Sequence, residues 1–208
     1  MFLDVDGTLT VDTIPWKLVH DYFFPDDLLD TSIFTQDLDF DEWAKNEVKS
    51  WKGKKYRDLQ ISLEKPLLRN GVSIGIEKLR DEGFLVILLS GGLHQMVENV
   101  IEGINIDHFV SNKILQDEGI INGKMDFKIG FKEEYILQLQ DELNIDLNAS
   151  IGVGNAENDI GMFNVVGYSI AFNPRTEIVS NSTSEVVVGN DFAEVVKLII
   201  DHDKSILP

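Results

Sequence analysis

In the second half of the chain, continuous apolar runs take turns with amphipathic stretches. Residues 84–90 (FLVILLS) are an unbroken apolar run ending in Ser90, the pattern of a strand buried on both faces of a sheet. A helical pattern ending at Gly83 precedes it, and a second helix follows over 94–103. Residues 108–116 read as extended. Asp117-Glu118-Gly119 and Asn122-Gly123 read as turns, with too little between them for a large element. Residues 131–144 form an amphipathic helix with Phe131, Tyr135, Ile136, Leu139 and Leu143 on one side. Then come a strand over 149–154, a helix over 159–167, a strand over 168–172, a short strand at 185–188 and a closing helix. Residues 1–5 (MFLDV) are a short buried strand, with only three residues ahead of Asp4.

Between the first strand and this alternating region the pattern changes. From Ile14 to about Leu68 there are helical stripes and no convincing strand: Trp16, Leu18, Val19, Tyr22 and Phe23, then Phe40, Trp43, Ala44, Val48 and Trp51. Pro15 suits a first helical turn, with Asp12 or Thr13 as cap, and Pro25-Asp26-Asp27 reads as another helix start. Strand–helix alternation implies a doubly wound parallel α/β sheet with helices on both faces. The helical block is then an insert, so the expected division is a core of residues 1–11 and 71–208 and a small α-helical cap over 12–70. Phe40, Trp43 and Trp51 are expected to be mainly the core of that cap.

Composition narrows the chemistry. The 208 residues carry 36 acidic and 18 basic side chains, a formal net charge of −18, which disfavours a nucleic-acid partner. Cysteine is absent, which removes disulfides, thiolate catalysis and Cys-based metal sites. No apolar run approaches membrane-spanning length and the first residues lack a signal-peptide pattern, so a cytoplasmic protein, monomer or homodimer, is expected.

Ligands of such sheets bind at the carboxyl ends of the strands. The first strand ends in Asp4-Val5-Asp6-Gly7-Thr8-Leu9-Thr10, where Asp4 and Asp6 would share a face in extended backbone. The second ends in Ser90-Gly91-Gly92 before a helix, a hydroxyl with free amides suited to an anion. A third runs into Gly154-Asn155-Ala156-Glu157-Asn158-Asp159, oxygen donors of the kind hard cations take. Singly, each has a plain structural reading: a turn with solvated acids, or a calcium loop, for the first, and helix capping for the other two. Together, at three strand ends, they describe one cleft for a phosphate and Mg²⁺. The four histidines are scattered and read as structural, with His94 the one near enough to reach the cleft.

In this order the motifs resemble those of the haloacid-dehalogenase-like phosphohydrolases, and most of all the phosphoserine phosphatase branch. The resemblance covers residues 1–11 and about 71–208. It implies that Asp4 is the nucleophile, forming an aspartyl-phosphate, and Asp6 the acid/base. It implies phosphate binding by Ser90, Gly91, Gly92, Lys132 and Asn158, and Mg²⁺ held by Asp4, the backbone carbonyl of Asp6, Asn155 and Asp159. Lys124, Lys128 and Lys132 all lie near the expected lysine. Lys132 is chosen because it opens the amphipathic helix and its spacing to Asn155 is similar to the family's.

The sequence departs from the pattern in two places. Asn155 stands where the family usually has Asp, which keeps an oxygen ligand but loses a charge. In the cap, Asp12 and Lys45 are the nearest matches to the Glu and Arg that read phosphoserine, and Lys cannot make the bidentate fork of Arg. The implied function is Mg-dependent hydrolysis of a small phosphomonoester, L-phosphoserine first. Alternatives are another acid or sugar phosphate, a phosphotransferase on the same scaffold, or a phosphate-binding module without turnover.

Overall fold

The computed structural model describes residues 1–11, 14–29, 40–64 and 66–206. Strand β1 (Phe2–Leu3) lies at the centre of a sheet, flanked in parallel by β2 (Ile87–Leu93) and β5 (Ile151–Gly154). Outward from β2 come β3 (His108–Asp117) and β4 (Ile120–Asp126). Outward from β5 come β6 (Tyr168–Phe172) and β7 (Glu185–Val187). Among the described residues the order is β4-β3-β2-β1-β5-β6-β7, and every pairing is parallel except β3 with β4.

Side-chain alternation along the strands divides the core in two. Leu3, Leu88, Ile170 and Phe172 point to one face, where they meet α4 (Val72–Asp81), α5 (His94–Val100) and α9 (Ala193–Ile206). Phe2, Ile87, Leu89 and Ala171 point to the other, against α6 (Lys132–Leu143), α7 (Ile160–Val165) and α8 (Glu177–Asn181). Burial on both faces explains the uninterrupted apolar runs. The fold is therefore the expected α/β doubly wound parallel sheet.

Between β1 and α4 the described residues form α1 (Pro15–Phe23), α2 (Phe40–Ser50) and α3 (Tyr56–Ser62). The chain leaves and returns along two neighbouring segments. Val11 N–H donates to Leu67 O at 2.8 Å and Arg69 N–H to Leu9 O at 2.9 Å. A second tie runs from the α2–α3 connection to the β3–β4 hairpin, with Ile121 N–H on Lys54 O at 2.9 Å. Trp16 sits in an aromatic cluster, 5.2 Å from Trp43 and 5.8 Å from Trp51, ring centre to ring centre.

Several expectations are corrected. Strand β2 starts at Ile87, not Phe84, because Phe84 N–H still closes the preceding helix on Leu79 O at 3.0 Å. As expected, the strand carries Ser90, Gly91 and Gly92 at its end, running to Leu93, and the next helix begins at His94. Asn122-Gly123 is not a turn but lies inside β4, beside a register shift between Ile114 and Gln116. Pro25-Asp26-Asp27 is a turn, not a helix start, within the described residues. The N-cap of α1 is Ile14 without a side-chain bond. On α6, Phe131 and Leu143 are exposed while Lys132, Ile136 and Leu139 are buried. No described helix is long and apolar enough to cross a membrane.

Candidate functional site

Asp4 follows β1, the shortest strand, and its N–H still donates to Val153 O of β5 at 2.8 Å. This holds a carboxylate at the carboxyl end of the central strand with only 3% exposure. Thr8 donates its hydroxyl to Asp4 Oδ2 at 2.8 Å. The other oxygen, Oδ1, accepts from Lys132 Nζ, which also donates to Asp159 Oδ1. Lys132 opens α6 on the far side of the sheet and is 0% exposed. A lysine buried so completely demands paired carboxylates, and here it has two. Burial opposes its charge, but Asp159 and Asp4 outweigh this and raise its pKa.

Asp159 is spent on shaping the site. Its Oδ2 accepts from the N–H of Asn155 at 2.7 Å and of Ala156 at 2.9 Å, which folds the turn after β5 around it. Asn155, 1% exposed, thereby has its side chain directed at the β1 loop, and its Oδ1 is buried without a hydrogen-bond partner. Gly7 has φ +92°, and a Cβ there would run into the Asn155 amide, so this loop needs glycine twice over.

Asp6 turns to the other side. Ser90 Oγ donates to its Oδ2 at 2.6 Å, and Gly92 N–H donates to Ser90 Oγ at 3.0 Å. Asp6 Oδ1 is buried and unpartnered. Burial raises the Asp6 pKa to about 7, with the negative charge of Asp4 adding to it and the Ser90 bond, Lys132 and Arg175 opposing. Asp4 is raised to about 6, by burial first and by Asp159 next, against the pull of Lys132. The two acids two residues apart thus differ in setting: one is salt-bridged to a lysine, the other is hydrogen-bonded to a serine and, with its pKa at about 7, still holds its proton part of the time at neutral pH. Asn158 is exposed, with its amide beside Gly91, 3.3 Å from where a Cβ would sit.

The structure thus gathers Asp4, Asp6, Ser90, Gly91, Gly92, Lys132, Asn155, Asn158 and Asp159 at the carboxyl ends of β1, β2 and β5. Lys45 stands apart, exposed on α2 and paired with Asp41 at 2.6 Å. Asp12 lies outside the described residues. His94 stacks on Phe109 and bonds Ser111 Oγ at 3.0 Å, the structural role expected of it. Among the described residues no three Asp, Glu or His side chains form a metal-binding group.

Three further residues reach the site. Thr8 was legible only as part of the first motif. Arg175 follows β6 and brings its guanidinium beside Gly7, 3.3 Å from the position of a Cβ there. The strand-end rule that located the other motifs applies equally to this Asn173-Pro174-Arg175 turn. Arg69, on the returning segment, donates to Gly7 O at 2.9 Å while stacked over Phe172.

The model of the haloacid dehalogenase-like hydrolase family matches residues 1–164. The chain belongs to this family. Among its relatives, the phosphoserine phosphatase of Lactococcus lactis is 27% identical over 177 residues, 83% of this chain and 82% of that protein. That of Methanocaldococcus jannaschii is 24% identical over 165 residues, 78% of each chain. A phosphoserine phosphatase solved as a phospho-aspartyl intermediate analogue superposes with a TM-score of 0.80 at 20% identity, covering 95% of this chain and 96% of that one. Haloacid dehalogenase-like architecture is therefore common to the fold and the motifs.

Proposed function

We propose that this haloacid dehalogenase-like chain is a Mg²⁺-assisted phosphomonoester hydrolase, with L-phosphoserine its leading substrate. The observation that carries the reading is the division of labour between Asp4 and Asp6, one held by Lys132 and the other by Ser90. The phosphoserine phosphatases among its relatives supply the substrate.

In this reading the Asp4 carboxylate attacks phosphorus in line, forming an aspartyl-phosphate as the ester P–O bond breaks. Asp6, carrying its proton, gives it to the departing alkoxide. It then takes a proton from the water that attacks phosphorus, releasing phosphate and restoring Asp4. Lys132 keeps Asp4 oriented and offsets the charge of the incoming phosphate, and Ser90 with the Gly92 amide faces the phosphate oxygens. The insert that carries α1, α2 and α3 acts as the lid that excludes water.

The residues present fit a hard cation. One buried oxygen, Asn155 Oδ1, has no partner within the protein, and its side chain meets the β1 loop at Gly7. Asp4, the Asp6 backbone carbonyl and Asn155 would hold the ion, whose chemistry when bound is to neutralise phosphate charge, leaving the Asp6 carboxyl free to carry its proton. Asp159, the remaining expected ligand, shares Lys132 with Asp4 through Oδ1 and sets the turn after β5 through Oδ2. With an amide in place of a carboxylate, metal affinity is expected to be weak. Asn155→Asp should tighten Mg²⁺ about tenfold, read by direct metal titration. Unchanged or weaker affinity would remove Asn155 from the ligand set.

Asp6→Asn separates the two chemical steps. With L-phosphoserine the leaving alkoxide needs the proton, so phosphate release should fall by about 10²–10⁴-fold. With p-nitrophenyl phosphate the first step needs no acid, so a burst of one nitrophenol per enzyme should precede slow turnover. In the wild type the proton on Asp6 is lost as pH rises through about 7, so phosphoserine cleavage should decline above that value. A variant equally impaired on both esters, with no burst, would remove Asp6 as the acid.

The reading as a whole is tested by phosphate release from L-phosphoserine and a panel of small phosphomonoesters, with Mg²⁺ and with chelator. Metal-dependent release led by phosphoserine is expected. Release led by another ester would keep the chemistry and move the substrate. Silence across the panel would overturn the reading.

A further inference from the structure

Gly91 and Gly92 share one peptide unit, and that unit is held on both edges. Its carbonyl, Gly91 O, accepts from Trp16 Nε1 at 3.2 Å and from Asn112 Nδ2 at 3.1 Å. Its N–H, on Gly92, donates to Ser90 Oγ, which donates in turn to Asp6. A peptide is planar, so fixing the direction of the carbonyl fixes that of the N–H. A Cβ on Gly92 would strike the Asp6 carboxylate, which places this peptide against the reacting group.

The two donors come from different parts of the molecule. Asn112 belongs to β3, is 0% exposed and uses its whole amide. Its Nδ2 also donates to Ile129 O at 2.9 Å, and its Oδ1 accepts from the N–H of Lys128 at 2.9 Å and of Ile129 at 3.1 Å. One side chain thus joins the glycine peptide to the segment three residues ahead of Lys132. Trp16 belongs to α1, in the helical segment between β1 and α4, where its ring is packed among Phe40, Trp43 and Trp51.

We propose that Trp16 and Asn112 are positioning residues that together orient the Gly91–Gly92 peptide so that its N–H holds the Ser90 hydroxyl that serves the phosphate. Because Trp16 sits on the helical segment, that orientation depends on the segment being seated, which couples the lid to phosphate binding. The inference rests on the phosphatase reading above. It adds to that reading the means by which the lid acts on the phosphate site.

The test compares Trp16→Phe, Asn112→Ala and their combination with Trp51→Phe. The last removes the same indole N–H from the same helical segment, where it donates to Glu47 Oε1 at 2.9 Å and not to the glycine peptide. Inorganic phosphate binding by calorimetry, kcat, KM and the melting temperature are read for each. Trp16→Phe should weaken phosphate binding about fivefold, the order of one hydrogen bond, and lower kcat, while Trp51→Phe stays within about twofold of the wild type. The combined loss should be smaller than the product of the single losses, because one peptide can be released only once. Should Asn112→Ala not fold, the Trp16→Phe and Trp51→Phe comparison decides alone. Equal effects of those two variants, or wild-type phosphate binding in Trp16→Phe, would overturn the inference while leaving the phosphatase reading in place. A wild-type protein that neither binds phosphate nor releases it would overturn both.

Discussion

Replacing Asp4 by Asn should abolish phosphate release, by at least about 10⁴-fold, while the protein still folds. The side chain keeps its shape. An amide oxygen in place of Oδ1 can still accept from Lys132, and an amide nitrogen can still face Thr8 Oγ1. What disappears is the electron pair that would bond to phosphorus. Stability should move the opposite way from activity. Burial raises the Asp4 pKa from 3.8 to about 6, so ionising this group costs the folded state. That cost is absent below the unfolded value, grows as pH rises through the interval and is complete above about pH 6. The variant, carrying no charge there, should therefore gain on the wild type between about pH 4 and about pH 6 and hold that gain above it. Phosphate release and thermal melts on the same preparations check both halves. Retained turnover would sink the covalent mechanism, and a melting difference that moves against the variant with rising pH would sink the account of the burial cost.

The parts of this site legible in the sequence are those written locally. Asp4-x-Asp6-Gly7 at the end of an apolar run, Ser90-Gly91-Gly92 and the Asn155–Asp159 stretch each carry their chemistry within a few residues. The strand-end rule then places them together. Lys132 was legible for a different reason: of three candidate lysines it alone opens a helix. Nothing in its neighbours announces that it is wholly buried, since Phe131 just before it is exposed. What stayed hidden depends on tertiary approach. Arg175 acquires meaning only when loops from β1 and β6 meet over Gly7. Trp16 reads as one position of a helical stripe by its spacing, and its bond to Gly91 O spans 75 residues of sequence. Asn122-Gly123 was misread as a turn, since a turn-forming pair can equally serve a bulge inside a strand.

Substrate choice is the least local of these properties. The resemblance expects a cap arginine that reads the carboxylate, and Lys45, its nearest counterpart, is exposed, held by Asp41 and apart from the gathered residues. An exposed ion pair of this kind holds its partners weakly, so Asp41 alone would not keep Lys45 from a substrate carboxylate that came within its reach. Its single point charge would attract that carboxylate without fixing its orientation. Discrimination among acidic phosphomonoesters should therefore be modest, which is why the substrate panel is needed beside L-phosphoserine.

Lys132→Ala is expected to have the largest effect on stability. It leaves Asp4 and Asp159 facing each other with no cation between them, both essentially out of contact with water. Removing one partner from a buried ion pair costs about 3–5 kcal/mol, because the remaining charge is left uncompensated. For a chain of this size that corresponds to a fall in melting temperature of roughly 10 °C. The pH dependence separates this account from a simple packing loss. In the wild type the Lys132 pKa is raised, so its contribution is fully present below the unfolded value near 10.5 and is lost only as pH rises through the higher folded value. Across neutral and acidic pH that contribution is constant. The deficit of the variant is then governed by the two carboxylates, whose repulsion is relieved when Asp4, already raised to about 6 in the wild type, takes up a proton. The variant should accordingly recover part of its lost stability between about pH 8 and about pH 5, whereas a cavity alone would cost the same at both. Activity should fall by about 10²–10³-fold or more, since the charge facing the phosphate goes with the side chain. Lys132→Arg restores the charge but must fit a larger planar group into a site with no exposed surface, so it should recover less than half of the melting-temperature loss. Should Lys132→Ala melt with the wild type at every pH, the buried cation would not be what holds the two aspartates together.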